Sequence, residues 1–222
     1  MLDYTTLFVF IHILLMAFWL GADMGTYYSA MLILNKDYSP AQKVVLARVL
    51  QGVDIFPRLS MTLILPSGMT IATIRGWAPL NIEWIVLLWI VGFLWAWLIW
   101  TIHRPTAPKW GKKLLPLENI WNWVLLTIVC IAVLFSFLSD LFITENWLKV
   151  KLTLFGITVG VLIIVNIMFK PFGPAFQKLV SEGSTPEVEQ VISSLIIRGK
   201  PWIWSIWIIV VVNTALGLFK PF

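Results

Sequence analysis

The sequence predicts an all-α protein, a polytopic membrane helix bundle of about six transmembrane helices that forms one integral membrane domain over residues 1–222. Hydrophobic residues make up 59% of the chain and charged residues only 12%, and the mean hydropathy is +0.89. Soluble domains, in contrast, are about one-quarter charged. Several apolar stretches also reach the roughly 20 residues that a helix needs to cross a bilayer. Together, these observations indicate a membrane protein.

The predicted helices can be placed along the chain from hydropathy and helix-end signals. The predicted spans are, in order, residues 5–34, 57–74, 84–103, 120–138, 147–168 and 202–218. Ser39 and Pro40 form a helix start, because serine is a favoured N-cap and proline fits the first turn. The amphipathic helix that they begin should continue to about Phe56. Pro66 predicts a kink in the second span, and residues 187–197 are predicted to form a surface helix.

The basic residues are divided unequally between the two sides that six spans define. One side carries twelve of them: Lys36, Lys43, Arg48, Arg58, Arg104, Lys109, Lys112, Lys113, Lys170, Lys178, Arg198 and Lys200. The other side carries four: Arg75, Lys149, Lys151 and Lys220. By the positive-inside rule the first side is cytoplasmic, so we expect an inner-membrane protein with both termini outside. We therefore expect the basic residues that give the net charge of +5 to interact with anionic lipid headgroups. Nucleic acid is not an expected partner.

His12 is the leading candidate site residue, because an ionisable side chain inside a span costs a few kcal/mol and needs an explanation. At 1.5 Å per residue it lies about 10 Å into the predicted outer leaflet. Neutral imidazole is a frequent axial ligand of haem iron. The alternative is a histidine that only hydrogen-bonds to a neighbouring helix. At about 100° per residue, Met16, Trp19 and Asp23 share the face of His12.

Small residues mark the opposite face of the first span, namely Ala17, Gly21 and Gly25. Such a ridge permits close approach of another helix. Gly156 and Gly160 form a similar ridge in the fifth span. We therefore expect the first helix to contact protein on two sides, with polar and aromatic groups on the His12 face.

Lys151 is the second candidate, about 6 Å inward from Trp147 at the start of the fifth span. It could bind a ligand, or it could extend its ammonium group to the surface from a helix end. Other polar or sulfur-bearing residues are expected near the depth of His12: Met69, Thr70, Asn213 and Thr214, with Glu83 and Asp140 nearer the surface. This layer suits haem b, with iron on His12 and propionates near Lys151 or Lys149. The second axial ligand would be Met69 or Lys151, or the iron would be five-coordinate.

A second polar layer is predicted near the cytoplasmic side. Asp54 and Arg58 are four residues apart with the acid first, which favours an ion pair along one helix. Asp23 should reach the depth of Arg58, so a bridge between the first two spans is expected. His103 ends the third span on this side and is expected to be interfacial. It lies too far from His12 for both histidines to ligate one iron.

Two further function classes remain open. A transporter for copper or a small solute would use the same polar layer, since soft metals select thioether and thiolate ligands. The methionines contain no Met-x-x-x-Met pair, and the single cysteine, Cys130, lies within an apolar run. A structural subunit of a membrane complex would hold no cofactor of its own. The expected partners are the lipid bilayer, a cytochrome or quinone, and either further copies of this chain or a larger membrane complex.

Two short motifs resemble a known superfamily of membrane haem proteins. The run His12–Ala22 has a histidine, a tryptophan seven residues later and then Gly-Ala, and Trp147–Leu152 reads Trp-Leu-x-x-Lys-Leu. The first motif resembles the first helix of a group that includes CopD-type copper resistance proteins, the HemJ type of protoporphyrinogen oxidase and the membrane part of cytochrome-linked urate oxidases. The second motif is similar to the start of a later helix in the HemJ type. The resemblance implies that His12 ligates haem b and that Lys151 is functionally required. The expected activity is electron transfer or porphyrin redox chemistry at the outer face, as in a membrane oxidoreductase.

Overall fold

The computed structural model describes residues 3–104, 106–139, 142–183 and 185–221, which are helical with no β-strand among them. The helices are α1 (Tyr4–Ile33), α2 (Pro40–Val53), α3 (Ile55–Ile74), α4 (Ile82–His103), α5 (Leu115–Leu138), α6 (Asn146–Met168), α7 (Phe172–Glu182) and α8 (Pro186–Phe219). A short 3₁₀ turn, Gly111–Leu114, precedes α5. Six helical segments of the described chain are long and apolar enough to cross a membrane. The predicted all-α bundle is confirmed.

Side-chain caps explain where several helices begin. Asp3 accepts a hydrogen bond from the backbone N–H of Thr5 at the start of α1. Ser39 and Gln42 form a capping box at the start of α2, which confirms the predicted helix start at this serine. Thr185 caps α8 in the same way, by accepting from the backbone N–H of Val188. Each cap satisfies a backbone donor that the first helical turn leaves without an internal partner.

The helices differ from the expectation in the second half of the chain. Helix α7 was not predicted, because its eleven residues follow Pro171 within a polar stretch. The predicted surface helix and the predicted last span are one continuous helix, α8, which passes through Pro201. Proline removes one backbone hydrogen bond, and a long helix packed on its neighbours can tolerate that loss. Helix α3 likewise continues through Pro66.

The helices form two halves that follow the chain order. In the first half α3 lies between α1 and α4, and in the second α6 lies between α5 and α8. The halves meet where α1 packs on α8, α4 on α5 and α2 on α7. Helices α1, α4 and α6 begin at one end of the bundle, which we call the N-terminal end. This arrangement leaves space between the halves, and both cavities described below lie there.

A small separate core joins the halves at the end opposite to the N-terminal end. Ile33 at the end of α1 packs with Ala47 of α2, Leu179 of α7 and Ile192 of α8. Burial of these side chains explains why the amphipathic helices α2 and α7 lie against each other. The main core, which includes Trp19, lies between the spanning helices.

The small-residue ridges pack only in part. In α6, a Cβ added at Gly156 would lie 3.0 Å from Val129 of α5, whereas Gly160 has no neighbour within 4 Å. In α1, Ala17 and Gly21 are exposed, and only Gly25 approaches another helix. The expectation of protein on two sides of α1 is therefore wrong along this stretch of the chain. The reason is that α1 lies at the edge of its half and turns its His12 face inward.

Candidate functional site

A cavity of about 420 Å³ opens between the halves near the N-terminal end, and we call it the His12 cavity. It is lined by residues of α1, α3, α6 and α8 and of the loops that connect the spans at this end. Five predicted site residues line it together: His12, Trp19, Met69, Lys151 and Asn213. Depth along the spans grouped Met69 and Asn213 with His12, helical periodicity placed Trp19 on the His12 face, and the structure brings all of these residues to one cavity.

A hydrogen bond to α3 fixes the ring of His12. Its Nδ1 lies 2.8 Å from Oγ of Ser67, and that hydroxyl lies 3.0 Å from the carbonyl oxygen of Ile64, to which it donates. A hydroxyl has one proton, so the Ser67 oxygen accepts from His12 Nδ1–H while its own proton goes to Ile64. The Nε2 atom then carries a lone pair, the form in which histidine binds metals.

Gly68 provides the space for this ring. A Cβ at Gly68 would lie 3.1 Å from Cε1 of His12, which is closer than most side-chain contacts permit. The glycine thus lets α3 approach the imidazole face while Ser67, its neighbour, holds Nδ1. The pair Ser67–Gly68 was not identified from the sequence, although it follows Pro66 directly.

Lys151 and Asn213 meet on the opposite wall. The Asn213 amide donates from Nδ2 to the carbonyl oxygen of Lys151, 3.3 Å away. The other amide atom, Oδ1, is buried and has no hydrogen-bond partner among the residues that the structure describes. A Cβ at Gly217 would lie 2.7 Å from Nζ of Lys151, so the ammonium group lies directly against α8. The wall therefore presents one cation and one acceptor that still lacks a donor.

Two further cations belong to this cavity. Arg75 and Lys220 line it with Lys151, and among the described lining residues there is no carboxylate. The Nζ of Lys220 lies 4.3 Å from the ring centre of Trp77, which makes an edge contact with Trp147. The charge pattern of the sequence placed both cations on this side without assigning them to the site. The cavity therefore favours a ligand with anionic groups at this end.

Other residues of the predicted layer lie elsewhere. Lys149 is buried but does not line the His12 cavity, and its Nζ lies 6.0 Å from the ring centre of Phe137. The Thr70 hydroxyl donates to the Pro66 carbonyl oxygen and accepts from the indole N–H of Trp89. Glu83 is exposed at the start of α4. Asp140 lies outside the described residues.

A second cavity of about 290 Å³ lies between the halves toward the opposite end, and we call it the Asp23 cavity. Its charged lining residues are Asp23, Asp54, Arg58 and Glu118, so three carboxylates accompany one guanidinium group. Asn122 and several aromatic side chains complete its wall. The two cavities thus differ in the sign of the charge that they present.

Two of the three carboxylates have basic partners. Arg58 donates from Nε to Asp54 at 2.6 Å, which confirms the predicted helical pair. Glu118 lies 2.8 Å from Nε2 of His103. The predicted Asp23–Arg58 bridge is wrong: Asp23 accepts from the indole N–H of Trp207 at 2.7 Å. The guanidinium group is paired with Asp54, which lies at the start of α3, so it attracts Asp23 without forming an ion pair with it.

Trp19 lines both cavities and is itself buried, with 4% of its surface exposed. Its indole is therefore a shared wall between the cationic cavity and the acidic one. The face of α1 that carries His12, Trp19 and Asp23 faces inward throughout this region, as the helical periodicity indicated.

No protein-family model matches the chain, and no curated protein and no solved structure matches it either. The features of the chain that point to a function are therefore its two cavities and its two sequence motifs.

Proposed function

We propose that the chain is a haem b-binding membrane protein that serves electron transfer or porphyrin redox chemistry at the N-terminal end of the bundle. The observation that carries this proposal is the His12 cavity itself. It combines a histidine whose free nitrogen is Nε2 with three cations. Its volume of about 420 Å³ lies within the range of about 300–1,000 Å³ typical of ligand and cofactor sites.

The residues present fit a haem in three respects. His12 would ligate iron through Nε2, since Nδ1 is held by Ser67 in the way that metal-binding histidines are usually held. The negative charges of the haem propionates would be neutralised by three cations, namely Lys151, Arg75 and Lys220. The unsatisfied Oδ1 of Asn213 would gain a donor from a bound group or from ordered water.

The protein groups around the site determine what a bound haem could do. Haem b supplies reversible one-electron chemistry at its iron. Trp19 and Phe155 would exclude water from the inner side, while the cationic rim would face the aqueous end. Met69 lines the cavity and would supply a second ligand to the iron, or Lys151 would do so instead. The resemblance to CopD- and HemJ-type proteins supports the same roles for His12 and Lys151.

We further propose that the N-terminal end of the bundle faces the outside of the cytoplasmic membrane. The support is the charge split between the two sides and the positive-inside rule. An outer-face cytochrome or a membrane quinone would then be the electron partner.

The test uses the two histidines of the chain as a matched pair. Wild type, His12→Ala and His103→Ala are purified in mild detergent from cells supplied with haem precursor, and their oxidised and reduced absorption spectra are recorded. We expect a Soret band and a reduced α-band in wild type and in His103→Ala. The bands should be lost in His12→Ala, because the imidazole that would bind iron is gone. A colourless wild type, or an unchanged spectrum of a well-folded His12→Ala, would contradict the proposal.

Copper transport is the second candidate function, and one observation favours it. Met16 and Met69 line the His12 cavity together with His12, so two thioethers and an imidazole share one space. Soft ligands of this kind suit Cu(I). The Asp23 cavity beyond Trp19 would continue such a path toward the opposite end. A colourless protein that loads copper into vesicles, with loading lost in Met69→Leu, would establish this function in place of haem binding.

A further inference from the structure

Two polar side chains of the Asp23 cavity are left without matching partners. Asp23 accepts one hydrogen bond from the neutral indole of Trp207, and no described basic side chain lies within ion-pair distance of it. Asn122 is 93% buried, since only 7% of its surface is exposed, and its side-chain amide forms no hydrogen bond to any described residue. Both residues line the same cavity.

Arg58 attracts the Asp23 carboxylate but forms its ion pair with Asp54, so three carboxylates of this cavity share one guanidinium group. Arg58 is engaged by Asp54, and His103 by Glu118. A carboxylate in a membrane interior is costly unless a cation or a proton compensates its charge. A cationic ligand would satisfy Asp23, and an N–H donor on that ligand would satisfy the amide oxygen of Asn122.

The walls favour an organic cation over a metal ion. Trp19, Tyr27 and Phe169 line the cavity, and aromatic faces attract ammonium groups. In the described part of the chain no group of three or more histidine, cysteine, aspartate or glutamate side chains could hold a metal ion. The cavity volume of about 290 Å³ is near the lower limit of about 300 Å³ for small-molecule sites, so the ligand is small.

We propose that the Asp23 cavity binds a small organic cation with a primary ammonium group. Asp23 is its counter-ion, the Asn122 amide oxygen accepts one of its N–H groups, and the aromatic walls hold its apolar part. This site is separate from the His12 cavity and does not depend on haem binding.

Binding is tested by calorimetry on the purified full-length protein in detergent at neutral pH, with benzylamine as the probe. Benzyl alcohol, which has nearly the same shape but no charge, is the matched control ligand. We expect benzylamine to bind and benzyl alcohol to bind at least about tenfold more weakly, because a hydrogen bond between charged groups is stronger than one to a neutral hydroxyl. Equal binding of the two ligands would overturn the proposal, and so would displacement of benzylamine by potassium chloride at equal concentration.

Variants locate the site. Asp23→Asn should weaken benzylamine binding at least about tenfold, for the same electrostatic reason, whereas Asp37→Asn, in an exposed turn, should leave it unchanged. Asn122→Leu provides a second, uncharged change that should also weaken binding. If Asp23→Asn does not remain monodisperse, the benzylamine affinity of Asn122→Leu is the test of the proposed site. Wild-type affinity in that variant, or in a folded Asp23→Asn, would overturn the proposal.

Discussion

Both ring nitrogens of a histidine inside a membrane need hydrogen-bond or metal partners, and few polar groups are available there. In His12, one of the two nitrogens has a hydrogen-bond partner. Ser67 is fully buried, and its hydroxyl oxygen accepts a hydrogen bond from His12 Nδ1–H while the hydroxyl donates one to the Ile64 carbonyl oxygen. The remaining nitrogen, Nε2, thereby keeps a lone pair, which is the form in which a histidine nitrogen is able to bind a metal. In known metal sites the group that holds the second nitrogen sets both the tautomer and the ring orientation.

Removal of the Ser67 hydroxyl should therefore weaken haem retention without abolishing it. We expect Ser67→Ala to lower haem affinity by about 10–100-fold, the usual effect of losing such a supporting hydrogen bond. The measurement is transfer of haem from the purified protein to an excess of a haem-binding acceptor, followed by absorbance.

Ser136→Ala is the matched control. Ser136 is also fully buried and donates to the carbonyl oxygen of Ala132, in its own helix, so its loss removes a comparable hydroxyl far from the imidazole. Equal haem retention in Ser67→Ala and Ser136→Ala would show that the Ser67 bond does not support a haem ligand.

Among the helices, the pair α3 and α4 shows how a proline and a glycine cooperate. Pro66 has no N–H, so the carbonyl oxygen of Thr62, four residues earlier, lacks its usual helical donor. Gly92 of α4 lies at this point: a Cβ there would be 2.9 Å from Pro66 and 3.0 Å from the Thr62 oxygen. Only glycine lets α4 come this close, and the approach positions α3, which carries Ser67 and Gly68.

A methyl group at this contact should separate the two helices. We expect Gly92→Ala to destabilise the protein by about 1–3 kcal/mol, the usual cost of overpacking a tight contact. Thermal unfolding in detergent, followed by tryptophan fluorescence, measures the change. The control is Gly160→Ala in α6, where an added Cβ has no neighbour within 4 Å. That substitution should be neutral or stabilising by up to about 1 kcal/mol, since alanine favours helix. Equal melting temperatures for the two variants would refute the proposed contact.

Across the whole molecule, hydropathy and periodicity predicted the six spanning helices but not which helices pack against each other. The six spans and the inward face of His12, Trp19 and Asp23 follow from local sequence, because lipid selects apolar length and a helix repeats every 3.6 residues. The continuous α8 was missed, since proline is a stop signal in water that packing can override.

The composition of the site depends on helix order, which the sequence does not contain. Depth along each span grouped His12 with Lys151 and Asn213, and all three line one cavity. Lys149 was grouped with them, but two residues along α6 turn it toward Phe137. Arg75 and Lys220 come from connecting or terminal segments, whose position only the tertiary fold determines. For the same reason the sequence did not show that Asp23 hydrogen-bonds to Trp207 and forms no ion pair with Arg58.

The orientation of the bundle remains a prediction, and the chain offers a direct way to test it. Its single cysteine, Cys130, is exposed on α5 in the middle of a span, so it should face lipid and escape a water-soluble maleimide. In a Cys130→Ser background, Glu83→Cys reports on the N-terminal end, and Lys112→Cys on the opposite end.

Both positions are exposed, so a difference in labelling reflects the side of the membrane and not burial. Because most lysines and arginines lie at the Lys112 end, the positive-inside rule places that end in the cytoplasm. We expect an impermeant maleimide to label Glu83→Cys in spheroplasts and to label Lys112→Cys only after the membrane is permeabilised. The reverse pattern would place the His12 cavity at the cytoplasmic face, where its cationic rim would meet cytoplasmic anions and an outer-face cytochrome could not reach it.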